Sequence, residues 1–131
     1  MTASDSNLRD SLRRMLMDLC TATKGIDGAT LAKSDGLIIS SWSPKLSDAS
    51  LAAAMSAALL NIGGNVLRNL ELGDLKRVVV SGNTGDIVLA RSGKDMILSV
   101  FIRKEASLGM TFLELNRTND KIFTAMSERE G

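Results

Sequence analysis

Between Asp48 and Arg68 the chain runs for 19 residues without a charge, and the stretch LAAAMSAALLNIGGNVL at 51–67 lies inside that run. Its length and hydropathy allow three fates: a membrane span, a core helix, or an interaction surface. Ser50, Ser56, Asn61 and Asn65 interrupt it, and much of its apolar character is alanine, which argues against a span. On a helical wheel of about 100° per residue it carries two apolar stripes instead of one. Leu51, Met55, Leu59, Ile62, Val66 and Leu70 form a stripe of large side chains, suited to lie on a sheet. Ala49, Ala53, Ser56, Ala57, Leu60, Gly63, Gly64 and Leu67 form a second stripe of mostly small residues. Small residues let another backbone come close, and two mid-helix glycines cost about 1 kcal/mol each relative to Ala, so a packing reason is expected. The expectation is a helix that sets its large residues on its own sheet and its small ones against a neighbour. Ser50, Asn61, Asn65 and Arg68 fill the narrow polar sector.

The remaining sequence places this helix in one domain. The chain has 131 residues, enough to bury a core without a disulfide or metal. Hydrophobic residues make up 44% and charged residues 24%, the balance of a globular domain. The order of elements reads α-β-β-α-β-β-β-α. Thr2 to Ser6 read as a frayed tail, and Ser6 as the cap of a helix from Asn7 to Thr23, with Leu8, Leu12, Met15, Leu16 and Leu19 on one stripe and Gly25 closing it. Strands over 28–33 and 37–42 flank a hairpin turn at Ser34-Asp35-Gly36. Pro44 ends the second strand, Ser47 is the expected N-cap of the next helix, and Gly73 marks its stop near Leu70. Strands at 77–81, 87–91 and 96–102 follow, separated by turn-rich GNTGD and SGKD. MILSVFI, the last of them, is apolar enough for a central strand covered on both faces. A final helix spans 107–128. Hairpins dominate, so the fold class is α+β with a mostly antiparallel sheet and helices on both faces.

Several function classes lose ground at once. Lys and Arg number 16 against 15 Asp and Glu, a net charge of +1, with no dense basic patch for nucleic acid. The N-terminal MTASDSNLRD lacks the basic-then-apolar pattern of a signal peptide, so a cytoplasmic location is expected. Cys20 is the sole cysteine and sits in an apolar helical pattern as a buried structural thiol. There is no histidine and no tyrosine, which removes the commonest general acid/base and metal ligand. Gly93-Lys94 fails as a phosphate loop: Asp95 follows it, Gly85 is too far upstream, and the segment joins two strands. Asp86 and Asp95 read as turn chemistry, and Ser40, Ser41 and Ser56 have no histidine partner. Trp42 closes a strand as partial core or a dimer edge, and Arg103-Lys104-Glu105 reads as a solvated connection. No catalytic constellation, metal site or cofactor is expected. The strand Arg77-Val78-Val79-Val80 would be an aggregation hazard at a sheet edge unless a partner covers it, and pairing with its own copy across a two-fold axis satisfies it.

In their order and spacing, IDGATLAKSDGLIIS, LAAAMSAALLNIGGNVLRNLELGDLKRVVVSG and SLGMTFLELNRTNDKI resemble the roadblock/dynein light chain family, which includes the MglB-like regulators of Ras-like GTPases. The resemblance runs from Leu8 to about Met126. It implies a five-stranded antiparallel sheet of order 2-1-5-4-3, with one long helix on one face and the two terminal helices on the other. It also implies a homo- or heterodimer in which third strands pair edge to edge and second helices pack together. The dimer contact is then expected at Ala53, Ser56, Ala57, Leu60, Gly63, Gly64, Leu67, Val78, Val79 and Val80. Asn61, Asn65 and Arg68 are the candidate surface for a Ras-like small GTPase, with Arg68 read as a solvated cation and not as a catalytic finger. Other roadblock or longin-type proteins are further implied partners, and neither nucleic acid nor a membrane span is expected. The function implied is a non-catalytic adaptor that binds a GTPase and modulates its hydrolysis. The alternatives are a scaffold indifferent to nucleotide state and a small-ligand-sensing domain with a pocket between helix and sheet.

Overall fold

The computed structural model describes residues 3–43 and 48–130. In chain order the elements are α1 (Ala3–Ala22), β1 (Ile26–Lys33), β2 (Ile38–Trp42), α2 (Ala49–Asn69), β3 (Arg77–Ser81), β4 (Gly85–Ser92), β5 (Met96–Arg103) and α3 (Leu108–Glu130). The five strands form one sheet of order β2-β1-β5-β4-β3, antiparallel at every pairing. Both the element order and the sheet order are those expected from the sequence. β5 is central, and its residues are buried except Phe101, half-buried, and the terminal Arg103. β3 stands at one edge.

The turns are the ones the residues dictate. Gly36 takes φ +95, its N–H donates to the Lys33 carbonyl at 2.8 Å, and the Asp35 carboxylate accepts from the Leu37 N–H at 3.0 Å. Two helix boundaries differ from expectation. α1 begins at Ala3, so the expected start after Ser6 is too late; Thr2 lies outside the described residues. Asp48, not Ser47, caps α2, accepting from the Leu51 N–H at 3.0 Å. Pro44 and Ser47 themselves lie outside the described residues. At the other end of α2 the left-handed residue is Glu71, at φ 57, and not a glycine. Its N–H donates to the Arg68 carbonyl at 3.1 Å and that of Leu72 to the Leu67 carbonyl at 2.8 Å, a Schellman closure. Gly73 lies two residues further on, at φ 94.

The sheet separates two cores of unequal size. α1 and α3 share one face, where 15 buried residues, among them Leu12, Leu16, Leu31, Leu98, Val100 and Ile122, form the main cluster. Trp42 is half-buried against that cluster, and Cys20 belongs to it. On the other face α2 lies over only five buried members: Ala57, Leu60, Leu75, Leu89 and Ile97. The difference means that α2 is held by much less apolar burial than the terminal helices, leaving Leu51, Met55, Ile62 and Val66 exposed on its outer side.

Candidate interaction site on helix α2 and strand β3

α2 packs the opposite way round from the expectation. Ala53, Ser56, Ala57, Leu60 and Gly64 are buried against the sheet. Leu51, Met55, Ile62 and Val66 are 56%, 57%, 62% and 48% exposed, and Leu70 and Leu72 just beyond them are also in solvent. The helix is two-faced, but the small face belongs to its own sheet and the large one points outward. The physical reason is approach distance. A helix set down on a sheet through Ala and Gly brings its backbone close, and the space is taken by side chains of the sheet and its flank. A Cβ on Gly63 would stand 2.8 Å from Leu75 Cδ1 and 3.2 Å from Val78 Cγ2, so those two side chains occupy the place the glycine leaves. A Cβ on Gly64 would meet an Arg91 guanidinium nitrogen at 3.4 Å. Leu59, Leu67 and Val78 border the smaller core as half-buried members.

Of the expected contact residues on α2, therefore, Ala53, Ser56, Ala57, Leu60 and Gly64 are enclosed by the chain itself, and Gly63 and Leu67 are half-buried. The side chains in solvent are those assigned to the sheet, except Leu59, which is half-buried against the smaller core. The interface on this side of α2 is tight but imperfect. Thr30 and Ser99 stand opposite each other in the β1–β5 register, alternating with Leu31 and Leu98 of the main core, and so face α2. Their hydroxyls, and that of Ser56 on the helix, are buried without a hydrogen-bond partner among the described residues. Each orphaned hydroxyl costs about 1–3 kcal/mol of desolvation, which weakens the hold on α2 further.

β3 pairs with β4 only, in the register Arg77↔Ala90 through Ser81↔Asp86, so its other side presents unpaired backbone groups. Val79 and Val80 are 37% and 44% exposed, and Val78 is half-buried toward α2. Asn61, Asn65 and Arg68 are all exposed, and the Arg68 guanidinium donates to Asn65 Oδ1 on the next turn. The three form one polar sector beside the apolar stripe.

Among the described residues two titrating groups, Cys20 and Asp86, depart clearly from their ordinary values. Burial, with a smaller contribution from the Asp27 charge, pushes the Cys20 thiol up to about 12, so it is an inert neutral thiol. The Asp86 carboxyl is held below its ordinary value mainly by the hydrogen bond from Lys104, at 2.8 Å. Arg103, Lys104 and Glu105 are all exposed, as expected of a solvated connection, and Arg103 pairs there with Asp27 at 3.2 Å and with Glu105 at 3.4 Å. Among the described residues no group of three or more acidic, histidine or cysteine side chains could hold a metal ion. α2 is long and apolar enough to cross a bilayer by composition, yet its small face is set on the sheet.

The sequence could have disclosed the two stripes, and did. It could not disclose which stripe faces inward, because both are apolar and the polar sector borders each of them on the wheel.

Comparison with known proteins gives the same architecture. The Roadblock/LC7 domain profile matches residues 12–101. Uncharacterized protein MJ0310 of Methanocaldococcus jannaschii is 30% identical over 109 residues, covering 83% of this chain and 94% of that protein. The crystal structure of a Roadblock/LC7 domain from Streptomyces avermitilis superposes with a TM-score of 0.83 at 20% identity, over 88% of this chain and 97% of that one. The gliding protein MglB from Thermus thermophilus superposes with a TM-score of 0.82 at 17% identity, over 98% and 94%. With the sheet order, the helix placement and the profile all in agreement, the chain belongs to the Roadblock/LC7 domain family.

Proposed function

We propose that the protein is a cytoplasmic, non-catalytic adaptor that forms a homodimer through α2 and β3 and binds a Ras-like small GTPase. The observations that carry this reading are two unpartnered features: the outward stripe Leu51, Met55, Ile62, Val66 and Leu70, and the open edge of β3. An apolar stripe on a helix beside an unpaired strand is costly in a solitary molecule, both as exposed apolar surface and as a template for strand addition. A two-fold axis beside β3 relieves both at once, extending the sheet through Val78, Val79 and Val80 and bringing two copies of α2 together. The large side chains replace Ala53, Ser56, Ala57, Leu60 and Gly64 as the helix contribution to that contact, because those five are already enclosed.

Asn61, Asn65 and Arg68 lie along the rim of the stripe, where a polar sector of paired helices would face a third protein. The family resemblance supplies the GTPase as the partner class, and the same residues are the first to test. Modulation of hydrolysis would come from reshaping the partner and not from a group donated by this chain. The experiment is retention of small GTPases from the same genome, loaded with GDP or with a non-hydrolysable GTP analogue, on the immobilised protein. Retention of one of them, weakened by Asn65→Arg, supports the reading; preference for one nucleotide state marks a regulator and indifference a scaffold. Failure to retain any GTPase in either state refutes it.

A further inference from the structure

α2 is 21 residues long, yet Leu60 is the one large side chain among its five buried residues; the others are Ala53, Ser56, Ala57 and Gly64. α1, with 20 residues, buries Leu12, Leu16, Leu19 and Cys20. Beneath α2, Ser99 and Thr30 continue the cross-strand row that begins with Val78 and Leu89. Their hydroxyls and that of Ser56 are buried without a hydrogen-bond partner among the described residues. Groups that give up hydration without a return lower the free energy gained when the helix closes on the sheet. The chain that leaves α2 is exposed at every residue from 70 to 74, and nothing lies within 4 Å of the position a Cβ on Gly73 would take. Leu75 is buried again, in the smaller core. This connection has room to follow a movement of the helix while β3 stays on β4.

We infer that α2 is a separately opening unit, which leaves the sheet as one cooperative segment while the sheet, α1 and α3 remain folded. The main core on the opposite face takes no residue from α2, either among its 15 buried members or among the half-buried ones around it, so it survives the opening. Stability in a fold is divided among such units, and the one with the fewest buried apolar contacts opens at the lowest free energy. Off the sheet, a lone helix of this length with Gly63-Gly64 in its middle is marginal in water, and its amides open to exchange. A molecule that grips the outward stripe together with the β3 edge meets a complete surface only when α2 is docked. Its binding therefore closes α2 by mass action, which makes the helix a lid held down by whatever binds it. The inference rests on the burial of the small face and not on the identity of any partner.

The test is amide hydrogen exchange of the isotope-labelled full chain, followed by NMR at several urea concentrations below the unfolding transition. The amides of residues 53–67 should share one urea dependence, shallower than that of β1 and β5, because their opening exposes less surface. Their protection should be lower than that of the slowest β5 amides by roughly a hundredfold or more. Ile122→Val, which removes one methylene from the main core, should lower the protection of β1 and β5 by roughly two- to tenfold and leave α2 unchanged. Ser56→Ala acts on the closing of α2 itself, so it should raise the protection of both sets by about fivefold. Self-association through the stripe would slow both sets alike, so a failure of the dimer reading does not alter the comparison. Equal protection in α2 and β5, urea-independent exchange in α2, or an equal effect of Ile122→Val on both sets would overturn the inference.

Discussion

Leu60 and Ile62 stand two positions apart on α2 and carry the orientation of the helix between them. Leu60 is fully enclosed with Leu75, Leu89 and Ile97, while Ile62 is 62% exposed. Leu60→Ala removes most of a buried side chain from a small cluster that has little else to fill the gap. The cost expected is about 2–5 kcal/mol. Against a total stability on the order of 5–15 kcal/mol, this lowers the melting temperature by on the order of 10 °C. Ile62→Ala removes atoms already mostly in water, so within one chain it costs less than about 0.5 kcal/mol. The assay is thermal unfolding followed by circular dichroism over a range of protein concentrations, because self-association makes the midpoint concentration-dependent. Leu60→Ala should lower the midpoint at every concentration. Ile62→Ala should leave the dilute limit unchanged and flatten the concentration dependence. If Ile62→Ala is the more damaging at the lowest concentration, the large side chains face the sheet and the orientation described above is wrong.

Ser56→Ala should stabilise the protein by about 1 kcal/mol in urea unfolding, since it deletes an orphaned buried hydroxyl and improves helix propensity; destabilisation would mean the hydroxyl has a partner. Glu71→Gly should raise stability by about 1 kcal/mol by relieving the left-handed residue of the α2 closure, and a loss would show that the Glu side chain makes an unseen contribution. Cys20 should resist iodoacetamide at pH 9 in the native state and react once unfolded. Because burial raises its folded pKa to about 12, its contribution to stability is intact below the unfolded value and is lost as pH rises from about 9 toward 12. Equal native and unfolded reaction rates would contradict the burial.

The strands were legible because their boundaries are set locally. Gly36 and Asp35 build their turn with short-range hydrogen bonds, and the unbroken apolar run of β5 announces cover on both faces. The helix ends were less legible, since Asp48 competes with its neighbour Ser47 as a cap and Glu71 takes a conformation that its residue type disfavours. The orientation of α2 was not legible at all from the helix itself. It depends on the reach of Leu75, Val78 and Arg91, which arrive from later in the chain and fill the space that Gly63 and Gly64 leave.

The central claim, that the outward stripe of α2 and the edge of β3 form one contact between two copies, is tested most directly by sedimentation equilibrium. The wild type should have twice the 14.0 kDa chain mass, and Val66→Glu, a charge placed on an exposed apolar position, should have the single-chain mass with an unchanged circular dichroism spectrum. A wild type that sediments as one chain, or a Val66→Glu variant that dimerises as tightly as the wild type, would contradict it.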